Sequence, residues 1–348
     1  MPFITSVVFL HVAYFAFGLL LCIVNTGCQI MTTTVHGTNA GPWLGANSVA
    51  FIVAGISSPL IDFFTDSLLA QYVTLAVASG IAGVYIIILP VPETFPGMRL
   101  HGANEAVFSR PLRDVRAKRT RTSRWLSFYG TYRVQINIGA MIFWIMGSKD
   151  AVTAYLQTYI YNTGVVPSSK AQLVVVCLYV AFILGGLGGM AHQHYVALPG
   201  LYRNLTIFLY AGATVGVVLI IFKNSPVALW AGIAAYGLSN APLWSYCLDL
   251  NNRLRKPTNT GTSILAFGSN FGSSMVSYLT SCLWSYTGSP RSLLAIIVVS
   301  QLLPHPIMLN VKHSTENRGD SAAVAPSYHS SEPTGEAIPL LGARATRA

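Results

Sequence analysis

"GLLLCIVNTGCQIMTTTVHGTNAGPWLGANSVAFIVAGISSPL", residues 18–60, sets two apolar runs on either side of Thr32, Thr33, Thr34, His36, Thr38 and Asn39, and the second run reopens with Gly41 and Pro42. Where there is no water, every backbone polar group must be satisfied inside its own segment, so an apolar run of ~20 residues reads as one spanning helix. The stretch is therefore read as helix, polar turn, helix. A second stretch, "GLSNAPLWSYCLDLNNRLRKPTNTGTSILAFGSNFGSSMVSYL" at residues 237–279, repeats the design, and the turns "TNAG" and "TNTG" fall at nearly the same place in each. Together they predict an internal repeat relating the first three spans to the last three.

Composition supports that reading along the whole chain. Of 348 residues, 53% are hydrophobic and 9% charged, against the ~25% charge of an ordinary soluble domain. The chain is solvated by a lipid bilayer. Its net charge of +10 does not point to nucleic acid, because the basic residues lie between apolar runs, where they face anionic headgroups. The five cysteines, Cys22, Cys28, Cys177, Cys247 and Cys282, lie in apolar runs without metal-ligand spacing and read as small hydrophobes, so no metal is expected. There is no HExxH, GxSxG or phosphate-cradling loop, and neither an enzyme nor a cofactor is expected. His192 and His194 read as a solvated turn.

The apolar runs predict about nine spans: Val7 to Met31, Pro42 to Ile61, Tyr72 to Pro90, Val134 to Tyr161, Ala171 to Ala191, Leu205 to Phe222, Ala228 to Leu248, Gly261 to Tyr286 and Ser292 to Val311. The first lacks the basic start of a signal peptide and is too long for one, so it is expected to stay. The link after the third span carries Arg99, Arg110, Arg113, Arg116, Lys118, Arg119, Arg121 and Arg124, which places it in the cytoplasm. Counting outward brings Arg203, the cluster Arg253, Arg255 and Lys256, and the tail with Lys312 and Arg318 to the same side. Lys170, Lys223 and Arg291 fall outside, as does Met1. The expected organisation is a partial three-span bundle over residues 1–92, a basic cytoplasmic linker over 93–133, a six-helix bundle over 134–312 and a disordered cytoplasmic tail over 313–348.

Four segments, "FGLLLCIVNTGCQIM", "AGPWLGANSVAFIVAGISSPLI", "GSKDAVTAYLQTYIYNTG" and "GLSNAPLWSYCLDL", resemble in order and spacing the fourth, fifth, seventh and tenth helices of the major facilitator superfamily. The nearest branch is that of the fucose-permease-like sugar symporters and the sodium-dependent glucose transporter-like proteins, and the likeness runs from about Phe9 to Val311. It implies an all-α polytopic membrane protein with an incomplete, three-plus-six version of that fold. It also implies transport of a sugar or similar small polar solute by alternating access, with H+ or Na+ as a coupling ion. The family's first three helices have no counterpart here. A truncated gene model is the expectation. The alternatives are helices supplied by a partner chain, a degenerate relative acting as a receptor or scaffold, or a carrier of another small polar metabolite.

Polar residues at membrane depth are the candidate pathway residues. Asn25 and Gln29 stand one turn apart on the first span, and such amides either exchange hydrogen bonds with sugar hydroxyls or hold neighbouring helices together. The position matching Asn25 is commonly a carboxylate in proton-coupled members of the resembled branch, and an amide cannot exchange a proton near neutral pH. Asp150, Thr153 and Gln157 form a stripe on the fourth span, with Lys149 beside Asp150 as a counter-charge. The pair either lines a cavity or neutralises itself near the membrane surface. The resembled family often has a carboxylate at the matching position. Asn47, Ser48, Asn240, Trp244, Asn270, Ser273 and Ser277 are weaker candidates, with Asn47 and Trp244 suited to hold the polar and apolar faces of a sugar ring. Gly268 and Gly272 have GxxxG spacing and predict close backbone approach. In the tail, "EAIPLL" sets Glu336 ahead of Leu340 and Leu341 and resembles an acidic dileucine sorting signal, which implies a clathrin adaptor as partner. The expected location is the plasma membrane or an endosomal or lysosomal membrane.

Overall fold

The computed structural model describes residues 9, 20, 23–29, 31–32, 35–36, 40–64, 67–88, 121–193, 195–255 and 258–316. The basic linker up to residue 120 and the tail beyond residue 316, with Glu336, Leu340 and Leu341, lie outside the described residues, as does the 37–39 turn of the first repeat copy. Among the described residues the fold is all-helical, without a strand. Its helices are α1 (Ala40–Phe64), α2 (Leu68–Ile88), α3 (Arg121–Thr163), α4 (Ser168–Gln193) and α5 (Leu198–Ile221). After them come α6 (Pro226–Asn240), α7 (Leu243–Leu254), α8 (Asn259–Thr287), α9 (Ser292–Leu302) and α10 (Pro304–Glu316).

Among the described residues, four stretches are long and apolar enough to cross a membrane: Ala40–Ile61 in α1, α4, α5, and Ser292–His313 across α9 and α10. They indicate a membrane protein. The other expected spans that fall on described residues also coincide with helices, but each is shorter or more polar. α2 carries a shorter apolar stretch, Tyr72–Tyr85, α3 holds Lys149 and Asp150, and α8 is rich in Gly, Ser and Thr. The span expected from Ala228 to Leu248 is two helices, α6 and α7, separated by Ala241 and Pro242. Pro242 has no N–H to give the carbonyl of Leu238, four residues back, so the hydrogen-bond ladder breaks there. A second proline, Pro304, opens α10 just after α9 ends.

Helix α3 starts earlier than expected, inside the basic linker, and kinks at Tyr132, whose φ of −106° and ψ of 15° are not helical. The next residue, Arg133, donates to Asn310 Oδ1 on α10 at 3.0 Å, which ties the kink to the end of another helix. Gly164 and Gly288, at φ 61° and 62°, stop α3 and α8 in the left-handed conformation that favours glycine. Thr258, the first residue of the "TNTG" turn, caps α8 by accepting from the Gly261 N–H at 3.1 Å.

Helix α3 packs along α8, and α1 packs along α4 and reaches α7. The α3–α8 seam is built from glycines. A β-carbon on Gly268 would strike the backbone of Gly139, and one on Gly147 would fall 2.6 Å from the Gly272 carbonyl oxygen. The expected GxxxG seam is therefore present, with α3 supplying the complementary glycines. Helix α4 repeats the device with Gly185 and Gly189. A β-carbon on Gly185 would lie 2.5 Å from the Leu238 carbonyl oxygen, and one on Gly189 2.5 Å from Pro242 Cβ. The glycines of α4 thus receive the α6–α7 break, including the carbonyl that Pro242 leaves without its helical donor. Helix α2 touches only α1 appreciably and leaves Val73, Val77, Ile81 and Ile88 exposed.

At the α7 end of the bundle, Asp249 is buried and Arg253 grips it with Nε at 3.0 Å and Nη2 at 2.9 Å. The same guanidinium donates to the Val196 carbonyl at 2.6 Å, so α7 is pinned to the α4–α5 turn. Arg253→Ala would strand a carboxylate whose side chain is 2% exposed. It should cost about 3 kcal/mol, the low end for half of a buried pair, because Arg253 itself is 29% exposed. Thermal denaturation in detergent measures this, and adding Asp249→Asn should recover part of the loss. An unchanged midpoint for Arg253→Ala would show the pair to be energetically idle.

Candidate functional site

Lys149 and Asp150 lie in the second half of α3, among helices that are mostly apolar. Consecutive helical positions point about 100° apart, and the two side chains diverge accordingly. The Lys149 ammonium sits over the Phe182 ring of α4, 5.2 Å from its centroid, in an arrangement that replaces part of its lost hydration. Lys149 is 7% exposed. Asp150 is half-buried on the other side, where Ser273 of α8 faces its carboxylate and Tyr179 and Tyr236 lie within its field. The two charges feel one another without the close contact expected of a counter-charge pair.

Around this pair the bundle assembles further polar groups. Ser148, one residue before Lys149, shares a 2.7 Å hydrogen bond with the Tyr236 hydroxyl of α6. Gln301 of α9 approaches that hydroxyl without completing a hydrogen bond to it. The Tyr236 and Phe182 rings meet edge to face at 6.3 Å, so α3, α4, α6 and α9 converge on one polar cluster. One turn beyond Tyr236 on α6 stands Asn240, which is 2% exposed. Neither its Nδ2 nor its Oδ1 has a hydrogen-bond partner among the described residues. A buried amide left in that state costs ~1–3 kcal/mol for each unmet group. It also adjoins the α6–α7 break, the kind of discontinuity that membrane carriers place beside a solute site.

The sequence candidates separate in this frame. Asp150, Lys149 and Asn240 lie in or beside the cluster. Thr153 spends its hydroxyl on the Asp150 carbonyl of its own helix at 3.0 Å, and Gln157 donates to Tyr161 Oη at 3.4 Å, so both share the face of Asp150 with their polar groups engaged within α3. Asn25 and Gln29 do share a face, with Gln29 Nε2 donating to Asn25 Oδ1 at 3.2 Å. Asn47 is half-buried on α1. Trp244, 7% exposed, belongs to a core cluster with Leu44, Ile142 and Leu205, so its ring faces are covered by protein. Asn270 is half-buried on α8, and its backbone carbonyl accepts from Ser274. His192 is exposed, as expected, in the last turn of α4, and its Nδ1 lies 3.1 Å from Tyr246 Oη.

Sequence reading missed Ser148, Tyr236, Phe182 and Gln301. Tyr236 carried a signal all the same, since it is the one residue with a hydroxyl in the apolar run from Val227 to Leu238, where Trp230 is the only other side chain able to hydrogen-bond. The cysteines Cys28, Cys177, Cys247 and Cys282 are free, and no group of three potential metal ligands occurs among the described residues. No protein-family model matches the chain, and no curated protein matches it in sequence.

Proposed function

We propose that the chain is a polytopic carrier of the major facilitator type that moves a sugar or a similar small polar solute by alternating access. The observation that carries this reading is the buried polar cluster of Ser148, Lys149, Asp150, Tyr236 and Asn240, with an unpartnered amide beside a broken helix in an apolar bundle. Charged and amide groups are expensive at such depth and mark solute or ion pathways. Hydroxyls, an amide and a carboxylate are donors and acceptors that match a polyhydroxylated solute. Asp150 also offers a site for H+ or Na+ as the coupling ion. The test is reconstitution of the full chain in liposomes, with saturable exchange of labelled monosaccharides and polyols against empty vesicles. A panel with no exchange above the empty control would overturn the proposal.

The charge distribution supports an orientation. Arg133, Arg203, Arg253, Arg255 and Lys312 gather at the bundle end where α4 and α7 finish, and Lys170, Lys223 and Arg291 lie at the other. The positive-inside rule makes the first end cytoplasmic. In a background with its native cysteines removed, a single cysteine at Lys170 should react with an impermeant thiol reagent in intact cells, and one at Arg255 should stay shielded until the cells are opened. Labelling in the reverse pattern would invert the orientation.

A further inference from the structure

Away from the polar cluster, the first two turns of α5 and the end of α10 enclose a half-open cavity of about 200 Å³, lined by Tyr202, Arg203, Thr206, Met308, Leu309 and Lys312. Three features of this cavity point to one class of ligand. It holds two cations, Arg203 and Lys312, and no acidic side chain. Its helices belong to two of the four stretches long enough to cross a membrane, and it lies where those stretches end, at headgroup depth. At its rim Leu309 is 62% exposed, and from there toward the bilayer α5 exposes Ile207 and Tyr210, at 55% and 53%. A phosphate has room beside the cations, whereas an acyl chain does not fit in the cavity and would have to run down this apolar face.

We propose that the cavity binds the anionic headgroup of a membrane phospholipid, with Arg203 and Lys312 holding the phosphate and the acyl chains lying along Ile207, Tyr210 and Leu309. Arg203 supplies a fork of donors to the phosphate oxygens and Lys312 a compact charge. No side chain caps the start of α5, and its first turn has no acidic residue, so the positive end of the helix dipole adds to the attraction. A basic pocket between spans at the headgroup level is a physical setting in which anionic lipids are retained. The inference rests on α5 and α9–α10 crossing a bilayer and not on transport, so the loss of either reading leaves the other standing.

The test uses the purified full chain in neutral detergent, titrated with dioctanoyl phosphatidylglycerol or dioctanoyl phosphatidylcholine and followed by native mass spectrometry. The anionic lipid should bind saturably as one copy and at least tenfold more tightly than the zwitterionic one. Arg203→Ala with Lys312→Ala should abolish that preference, whereas Lys170→Ala with Lys223→Ala, at the other end of the bundle, should keep it. Leu309→Trp retains both charges but fills the mouth of the cavity, and it too should weaken binding severalfold. Retention of the lipid by the double variant, or indifference to Leu309→Trp, would show attraction by the overall positive field and overturn the site. Equal displacement of the lipid by inorganic phosphate at the same concentration would mean an anion site without a lipid, and would also overturn it.

Discussion

Gly272→Val should abolish recovery of folded protein, the largest stability effect expected of any single change in this chain. A β-carbon on Gly272 would lie 2.5 Å from Phe143 Cα and 2.7 Å from its carbonyl carbon. These are backbone atoms of a 43-residue helix and cannot turn aside as a side chain would. Ordinary overpacking costs ~1–3 kcal/mol because neighbours shift rotamers. Here the whole α3–α8 seam must open, and the seam holds Gly139, Gly147 and Gly268 in the same way. Close glycine contacts are a main source of helix association where lipid removes the hydrophobic drive. Gly188→Ala is the control. Its β-carbon meets nothing within 4 Å, and the helix interior gains ~0.5–1 kcal/mol from alanine, so yield should hold or rise. Monodisperse peak height in size-exclusion chromatography reads both, and a normal peak for Gly272→Val would refute the seam.

What the sequence made legible was mostly what backbone satisfaction dictates. Apolar runs had to be helices, and the spacing of Gly268 and Gly272 announced a close approach. The partner glycines on α3 were not legible, since Gly139 and Gly147 are eight apart and the seam depends on which helix lies opposite. The α6–α7 break was written in the sequence as Pro242 inside an expected span. A proline there predicts a lost hydrogen bond, but only the tertiary structure shows that Gly185 of α4 covers the carbonyl it leaves.

The site followed the same division. Asp150 stood out, and Asn240 counted as a weaker candidate, because polarity at membrane depth is costly wherever it occurs. Lys149 acts on Asp150 only at a distance, because adjacency in sequence puts side chains on different sides of a helix, and its ammonium also rests on an aromatic ring of another helix. Trp244 resembled a sugar platform by residue type, whereas its packing against Leu44 and Ile142 is a matter of three-dimensional neighbours. Ser148 was invisible for the opposite reason. A serine in a span is usually a packing residue, and its value here comes from a tyrosine many residues away.

Asp150→Ala should remove saturable uptake by at least a hundredfold while the amount of folded protein in the membrane stays the same or rises. The direction of the second effect is what separates this residue from Asp249. Removing Arg253 breaks a close ion pair and strands a buried carboxylate, whereas removing Asp150 breaks no close ion pair: Lys149 keeps its place over Phe182 and loses only the longer-range attraction of the carboxylate. Deleting a half-buried carboxylate also relieves its own desolvation, which offsets the lost contact with Ser273, so no net structural penalty is expected. Any loss of transport would then arise from the pathway itself. Asp150→Asn refines the test, since it keeps the shape and the acceptor facing Ser273 but cannot carry a charge. If Asp150 couples an ion, the amide should lose concentrative uptake yet retain exchange of solute at equal concentrations; if it only binds solute, both should fall together. Tyr236→Phe, which removes one hydrogen bond to Ser148 worth about 1 kcal/mol, should weaken the apparent affinity for solute by roughly fivefold and leave the coupling intact. Normal uptake by Asp150→Ala, measured at matched protein density in liposomes, would remove the α3 cluster from the pathway.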